Sequence, residues 1–335
     1  MSPEPQVATS NEQGAAETPH CRLCNEPLVS RLRVPRDWRR PEPAGPYDMM
    51  WCDSCQLGTI HPMLTAAEIA KAYEVDAYYT HALDQQEDGD PLLDQLRFKL
   101  ACKLDRAVPL SLEWFGRRYG DGRLYVCEIG CGDGALLLDL QREGHIVTGV
   151  EPDPSARSVA EGNALGLRVS VGTAEELPDD VTSRRFDVVV MNHVLEHTVD
   201  PIAAVSNALG LLAPGGVLVI ETPNHRALGF QRAGATWAFL DVPRHLHFFT
   251  EASLRKTCAA AGAKVQEVEY HGYCRQLKQS WVKTERTIWD ALNGGRATPP
   301  LQRNSSAEAW RLLLRTAVSS RPEKCDSVRV LASPV

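Results

Sequence analysis

Four groups of residues have the types and spacing to do chemistry. Cys21 and Cys24 form one C-x2-C pair, Cys52 and Cys55 a second, with 27 residues between the pairs. Four thiolates so arranged suit a tetrahedral zinc ion, and four protein ligands leave no position open for water, so such a site is structural. The run Glu128-Ile-Gly130-Cys-Gly132-Asp-Gly134 is the second group. Its glycines would let the backbone come close to a nucleotide-like ligand. Glu151 stands 21 residues beyond Gly130, where an acid can take both hydroxyls of a ribose. The third group, His193-Val-Leu-Glu196-His197, matches H-x-x-E-H, a metalloprotease pattern whose polar side chains would share one helix face. The fourth is Asp241-Val-Pro-Arg244-His245-Leu-His247-Phe-Phe-Thr250. An imidazole titrating near neutrality is suited to take a hydroxyl proton.

The surrounding chain predicts the elements that position these groups. Apolar runs at 123–130, 145–152, 167–172, 186–194, 215–224, 263–271 and 326–335 read as strands. Helical patterns separate them, and Asp200-Pro201 and Thr250 supply N-cap signals. Strands alternating with helices predict a doubly wound, Rossmann-like α/β sheet. Upstream, Thr65 caps a short helix, and Pro91 opens a leucine-periodic helix to about Arg118. The expected organisation is a disordered tail at 1–17, a loop-rich zinc-binding element at 18–63, a helical cap at 64–122, a ligand-binding core at 123–270, and a helical insert with the final strand at 271–335.

The strand-flanked segments VCEIGCGDG, GVEPDPSA, GTAEELP, FDVVVMNHVLEH and LLAPGGVLVIETPN, in this order and spacing, resemble those of the class I S-adenosylmethionine (SAM)-dependent methyltransferases. The resemblance covers about residues 123–270 and implies a sheet of seven strands, the last antiparallel. It also implies SAM as cofactor. Glu128, Gly130 and Gly132 would hold the methionine part, Glu151 the ribose, the Thr173-Ala174-Glu175 loop the adenine, and Asn192 the methionine amino group. Family members carry Asp where this chain has Thr173. A dinucleotide fold would need glycine at position 135, which is Ala135. The E-H of residues 196–197 is a routine family feature, which sets the protease pattern aside. In the ubiquinone-pathway members an E-x-x-E-H set can bind a divalent ion. His193 replaces the first of those glutamates, and magnesium prefers oxygen ligands. His193 then becomes a substrate contact or base. The PN and RHLHFFT segments resemble ubiquinone-pathway and sugar methyltransferases, and a four-cysteine N-terminal zinc element resembles the sugar C-methyltransferases, where a histidine at the place of His245 serves the acceptor. The implied reaction is methyl transfer to a small molecule, first a hydroxyl of a sugar or specialised metabolite. Sugar C-methylation, RNA methylation and a non-catalytic SAM-binding protein are the alternatives. Trp237, Phe239 and Phe230 would wall the acceptor pocket or pack as a simple lid, and Tyr78, Tyr79 and His81 would approach the cofactor's carboxylate end or be buried against the core.

Composition narrows the partners. The net charge of −7 disfavours general nucleic-acid binding. Five arginines lie between Arg31 and Arg40 around Trp38, but residues 18–63 carry six arginines against five acids, barely basic. The 271–324 segment, with ten basic and four acidic residues, could offer Arg275, Lys278 and Lys283 to an anionic acceptor. No apolar run is long enough to span a bilayer, and residues 1–17 are neither signal nor transit peptide, so a cytoplasmic protein with reduced thiols is expected.

Overall fold

A computed structural model of the chain describes residues 18–40, 44–74, 92–105, 107–161, 166–294 and 306–335. The expected tail at 1–17 and Tyr78, Tyr79 and His81 lie outside the described residues. The strands are β1 (Val29–Val34), β2 (Tyr47–Cys52), β3 (Leu57–His61), β4 (Tyr125–Ile129), β5 (Ile146–Val150), β6 (Val169–Ser170), β7 (Phe186–Asn192), β8 (Leu212–Pro223), β9 (His247–Phe248), β10 (Ala263–His271) and β11 (Ser327–Pro334). Seven form one sheet in the order β10-β11-β8-β7-β4-β5-β6. It is parallel except at β11, which runs antiparallel to both neighbours. Val188, Val189, Val190, Leu218, Val219 and Ile220 are fully buried, as expected for strands covered on both faces. Parallel strands bring their C-terminal ends to one edge. Glu128, Glu151, Asn192 and Glu221 all come from there.

Local signals behave as the residues predict. Thr65 and Thr250 close capping boxes with Glu68 and Ser253, and Asp200 caps the 201–210 helix through the amides of Ile202 and Ala203. The expected helix from Pro91 to Arg118 divides into Leu92–Asp105 and Leu112–Tyr119. Pro109 lies in the gap, and proline cannot donate the bond that a helix interior requires. The first piece also inverts its expected face. It buries Asp94, Arg97, Ala101 and Asp105, while Leu92, Leu93, Leu96 and Leu100 stay exposed. Arg97 is buried because it bonds Asp94, Ser306 and the Leu277 carbonyl, so a buried polar network outweighs the leucine pattern.

The N-terminal region contains more regular structure than a loop-rich element. β1, β2 and β3 form an antiparallel sheet, and β9, from the segment after β8, pairs with β3 as its fourth strand. Gly58 and Thr59 face Phe248 and His247 across that pairing. A Cβ on Gly58 would sit 2.9 Å from that of Phe248, so the two backbones approach too closely for any side chain there. Among the described residues no helix is long and apolar enough to cross a membrane.

Candidate functional site

The glycine loop leaves β4 in the left-handed region, with φ +70° at Gly130 and +55° at Gly132. A Cβ on Gly130 would lie 2.5 Å from Val194 Cγ2, so this loop and the His193–His197 turn are packed in direct contact. Glu151 immediately follows β5. Its carboxylate accepts from the amides of Gly132 and Asp153, both at 2.9 Å. Burial raises its pKa, which those two amides oppose. Glu128 is buried with Oε2 unpartnered. Burial, with the charges of Asp133 and Glu151, pushes its pKa up to about 8. Asn192, at the end of β7, likewise has an unpartnered buried Oδ1. Two orphaned acceptors beside a glycine loop fit a cationic, donor-bearing ligand. Thr173 is exposed, and its hydroxyl accepts from Glu176 N at 3.0 Å. Asn207 donates to the carbonyls of Ala174 and Glu175 and so ties this turn to the 201–210 helix.

His193 adopts φ +55°, a strained conformation for a residue with a side chain. Its Nδ1 lies 3.1 Å from Glu196 Oε1 and its Nε2 3.4 Å from Glu221 Oε1. Burial would lower its pKa, but the two carboxylates raise it to about 9. His193 is therefore a cation at neutral pH. Glu221 also bonds His271 and Arg329, and Arg329 reaches Glu269. Burial opposes ionisation of Glu221, yet His271, His193 and Arg329 hold its pKa well below the usual range. This network of Glu221, His271 and Arg329 is not evident from sequence. Its signal is a glutamate, a histidine and an arginine within strands of the central sheet.

His245 behaves in the opposite way. It is buried with Nδ1 unpartnered, and burial, with His197 beside it, pushes its pKa down to about 3. Its ring meets that of His197 edge-on at 4.6 Å. The Nδ1 of His197 donates to the Arg244 carbonyl at 3.0 Å. Glu196, His197 and His245 each offer one ligand atom, all within 4.8 Å of one another. Two histidines on one edge thus hold opposite protonation states at neutral pH, an arrangement that separates acid from base roles. Arg244 is structural: it is fully buried and bonds Asp37, Asp241 and the Ala72 carbonyl. His247 is buried on β9, its Nδ1 3.4 Å from the Thr59 hydroxyl.

Trp237 and Phe230 are buried in an apolar cluster with Val34, Tyr47, Met49 and Trp51 of the N-terminal sheet. Phe239 is half-buried, 5.3 Å from the His193 ring. Arg275, expected to meet an anionic acceptor, bonds Asp326 at 2.8 and 3.1 Å and lies 4.4 Å over Phe239. Four of the five N-terminal arginines around Trp38 are also engaged. Arg31 lies over Trp51, Arg33 pairs with Asp48, Arg39 with Asp241, and Arg40 donates to the Lys71 carbonyl.

The four cysteines, distant in sequence, converge. Cys21, Cys24, Cys52 and Cys55 place their sulfurs within 4.8 Å of one another, and Cys24 Sγ lies 3.5 Å from Cys52 Sγ. Burial and the neighbouring thiols push Cys55 up to about 12. A thiolate set this dense needs a cation to ionise, and a soft divalent ion fits its donor chemistry.

A methyltransferase domain family model matches residues 95–268. A ubiquinone biosynthesis O-methyltransferase from Azorhizobium caulinodans is 36% identical over 155 residues, 43% of this chain and 60% of that protein. One from Cereibacter sphaeroides is 34% identical over 207 residues, 58% of this chain and 79% of that protein. Among solved structures, a SAM-dependent methyltransferase from Archaeoglobus fulgidus aligns with 66% of this chain and 92% of its own, at 19% identity and a TM-score of 0.44. The family match spans Glu128, the glycine loop, Glu151 and the His193–His197 turn, and the chain accordingly belongs to the class I SAM-dependent methyltransferases.

Proposed function

We propose that this methyltransferase acts on a hydroxyl of a small molecule, a sugar or specialised metabolite. The observation that supports it best is His245, neutral and buried with an unpartnered Nδ1 beside Glu196. The sulfonium of SAM already activates the methyl group, so the chain need only align the acceptor and accept one proton. Burial holds the His245 pKa at about 3, and the negative charge of Glu196 opposes that shift. For His245 to take the hydroxyl proton, Glu196 must steady the imidazolium that forms, as a carboxylate does for a catalytic histidine. His193, protonated and held by Glu196 and Glu221, places a positive charge beside the acceptor. Phe239 packs against it. The O-methyltransferase names of the relatives support oxygen as the acceptor atom. Sugar C-methylation is the second reading, supported by the four-cysteine cluster. Zinc at that cluster is structural. The test is label transfer from methyl-labelled SAM to hydroxylated aromatics, nucleotide sugars and RNA. Label entering only the RNA would reject the proposal.

Glu128 and Asn192 would hold the methionine end of SAM and Glu151 its ribose. Glu151→Ala should weaken SAM binding by about 1.5–3 kcal/mol, the worth of charge-assisted hydrogen bonds. Unchanged affinity by calorimetry would remove the ribose assignment.

Glu128 adds a pH dependence. Its folded pKa of about 8 lies above its ordinary value, so the stability it contributes is present at low pH and is lost as pH rises through 8. A cationic ligand needs the carboxylate ionised. SAM binding should therefore release close to one proton, and affinity should rise about tenfold per pH unit between roughly pH 6 and 7. Calorimetry in buffers of different ionisation enthalpy measures that proton. A pH-independent affinity would contradict the assignment.

A further inference from the structure

We propose that the four-cysteine sheet is a clamp that sets the histidines of the acceptor edge, and that Asp37 is its positioning residue. The inference rests on the proposed role of His245, and the contacts that carry it are independent of that role.

The segment around His245 is held from both sides by the N-terminal sheet. On one side, Arg244 reaches across 207 residues to Asp37 with two bonds of 2.8 Å, a bidentate pair with both side chains fully buried. Asp241, at φ +30°, bonds the same guanidinium and accepts from Arg39 of the N-terminal region at 2.9 Å. On the other side, Ile60 N donates to the Leu246 carbonyl at 2.9 Å, β9 pairs with β3, and the Thr250 hydroxyl donates to the Gln56 carbonyl at 3.1 Å, one residue beyond Cys55. Lys256 donates to the Ser54 carbonyl at 2.6 Å.

The same segment passes this constraint on to the active edge. The Arg244 carbonyl takes the Nδ1 proton of His197. The Tyr73 hydroxyl reaches the same nitrogen at 2.9 Å, so the His197 ring is held from the N-terminal region as well. Leu246 N donates to the Glu196 carbonyl at 2.7 Å, and His245 N to the Asp241 carbonyl at 3.0 Å. The residues on both sides of His245 therefore tie the N-terminal sheet to the Glu196–His197 turn. The glycine loop and Glu151 receive no bond from the N-terminal sheet among the described residues; their partners lie within the seven-stranded sheet and its loops. Releasing the clamp should loosen the acceptor edge and leave the cofactor edge in place.

Asp37→Asn keeps the volume and removes the charge that Arg244 needs. Breaking one partner from a buried pair is strongly unfavourable. In the full chain, hydrogen exchange should accelerate at least about tenfold across residues 193–198 and 241–250, because local opening free energy sets protection there. Exchange across 125–151 and affinity for S-adenosylhomocysteine should stay at wild-type values. Asp37→Glu, which keeps the carboxylate, should restore slow exchange across 193–198 and 241–250 in part. Treating the wild-type protein with a zinc chelator should reproduce the same pattern. Unchanged exchange at 241–250, or acceleration spread evenly through 125–151, would overturn the proposal. If Asp37→Asn fails to fold, Arg39→Gln, which removes the outer pair with Asp241 and the stacking on Trp38, should show the same pattern more weakly, and exchange at wild-type rates in it would overturn the proposal. A loosened loop in Asp37→Asn together with full turnover in His245→Ala would support the clamp and reject the base.

Discussion

Cys52→Ser should strip the metal from the chain and lower the melting temperature by roughly 10 °C, as loss of a structural metal ligand costs about 4 kcal/mol or more. Cys52 is almost fully buried and ends β2, two strands from β9. Its loss should therefore be felt in the segment after β8 as well as in the N-terminal sheet. Wild-type protein should hold about one zinc per chain, the content of a four-thiolate site. Cys102→Ser, at an exposed helical cysteine, is the control and should leave the transition unmoved. Elemental analysis and calorimetry decide the matter. A metal-free protein with the wild-type transition would refute a structural zinc.

His245→Ala should reduce turnover by about 10²–10⁴-fold, the usual contribution of a general base, with SAM affinity unchanged. His245 makes no hydrogen bond through Nδ1 in the folded chain. Losing the ring therefore breaks no bond at that atom, and the rate loss reports on chemistry. Because the site is buried, His245→Gln serves as a second variant that fills most of the space. It should be almost as slow as the alanine variant, since an amide cannot take the proton. His193→Gln should instead raise the acceptor's Michaelis constant more than it lowers turnover, because His193 is already protonated at neutral pH. Steady-state kinetics on an accepted substrate separates the two effects. Turnover near the wild-type rate in both His245 variants would move the base elsewhere.

The residues that make the central sheet were legible because parallel strands buried on both faces leave continuous apolar runs. Caps at Thr65, Asp200 and Thr250 were legible because a cap is a local bond between near neighbours. The two C-x2-C pairs could be read as one site because tetrahedral thiolate coordination requires such convergence. What escaped was long-range. β9 has two residues, too few for any period to appear, and its partner lies almost two hundred positions upstream. Asp37 reads as one acid in a basic, loop-like stretch. Only the fold shows that it holds Arg244, the neighbour of His245. Glu221, His271 and Arg329 come from three strands that meet in space and share no motif. The leucines of the 92–105 helix misled for a related reason: a buried arginine with several bonds dictated which face turned inward.

The most direct measurement of the central claim is the carbon-13 spectrum of the product formed with methyl-carbon-13 SAM. After acceptor screening, the labelled methyl resonance reports the atom to which the methyl is bound. The account predicts a single O-methyl resonance on a small molecule, formed by the wild-type chain and almost lost with His245→Ala. A labelled methyl on carbon, or label found only on RNA, would contradict it.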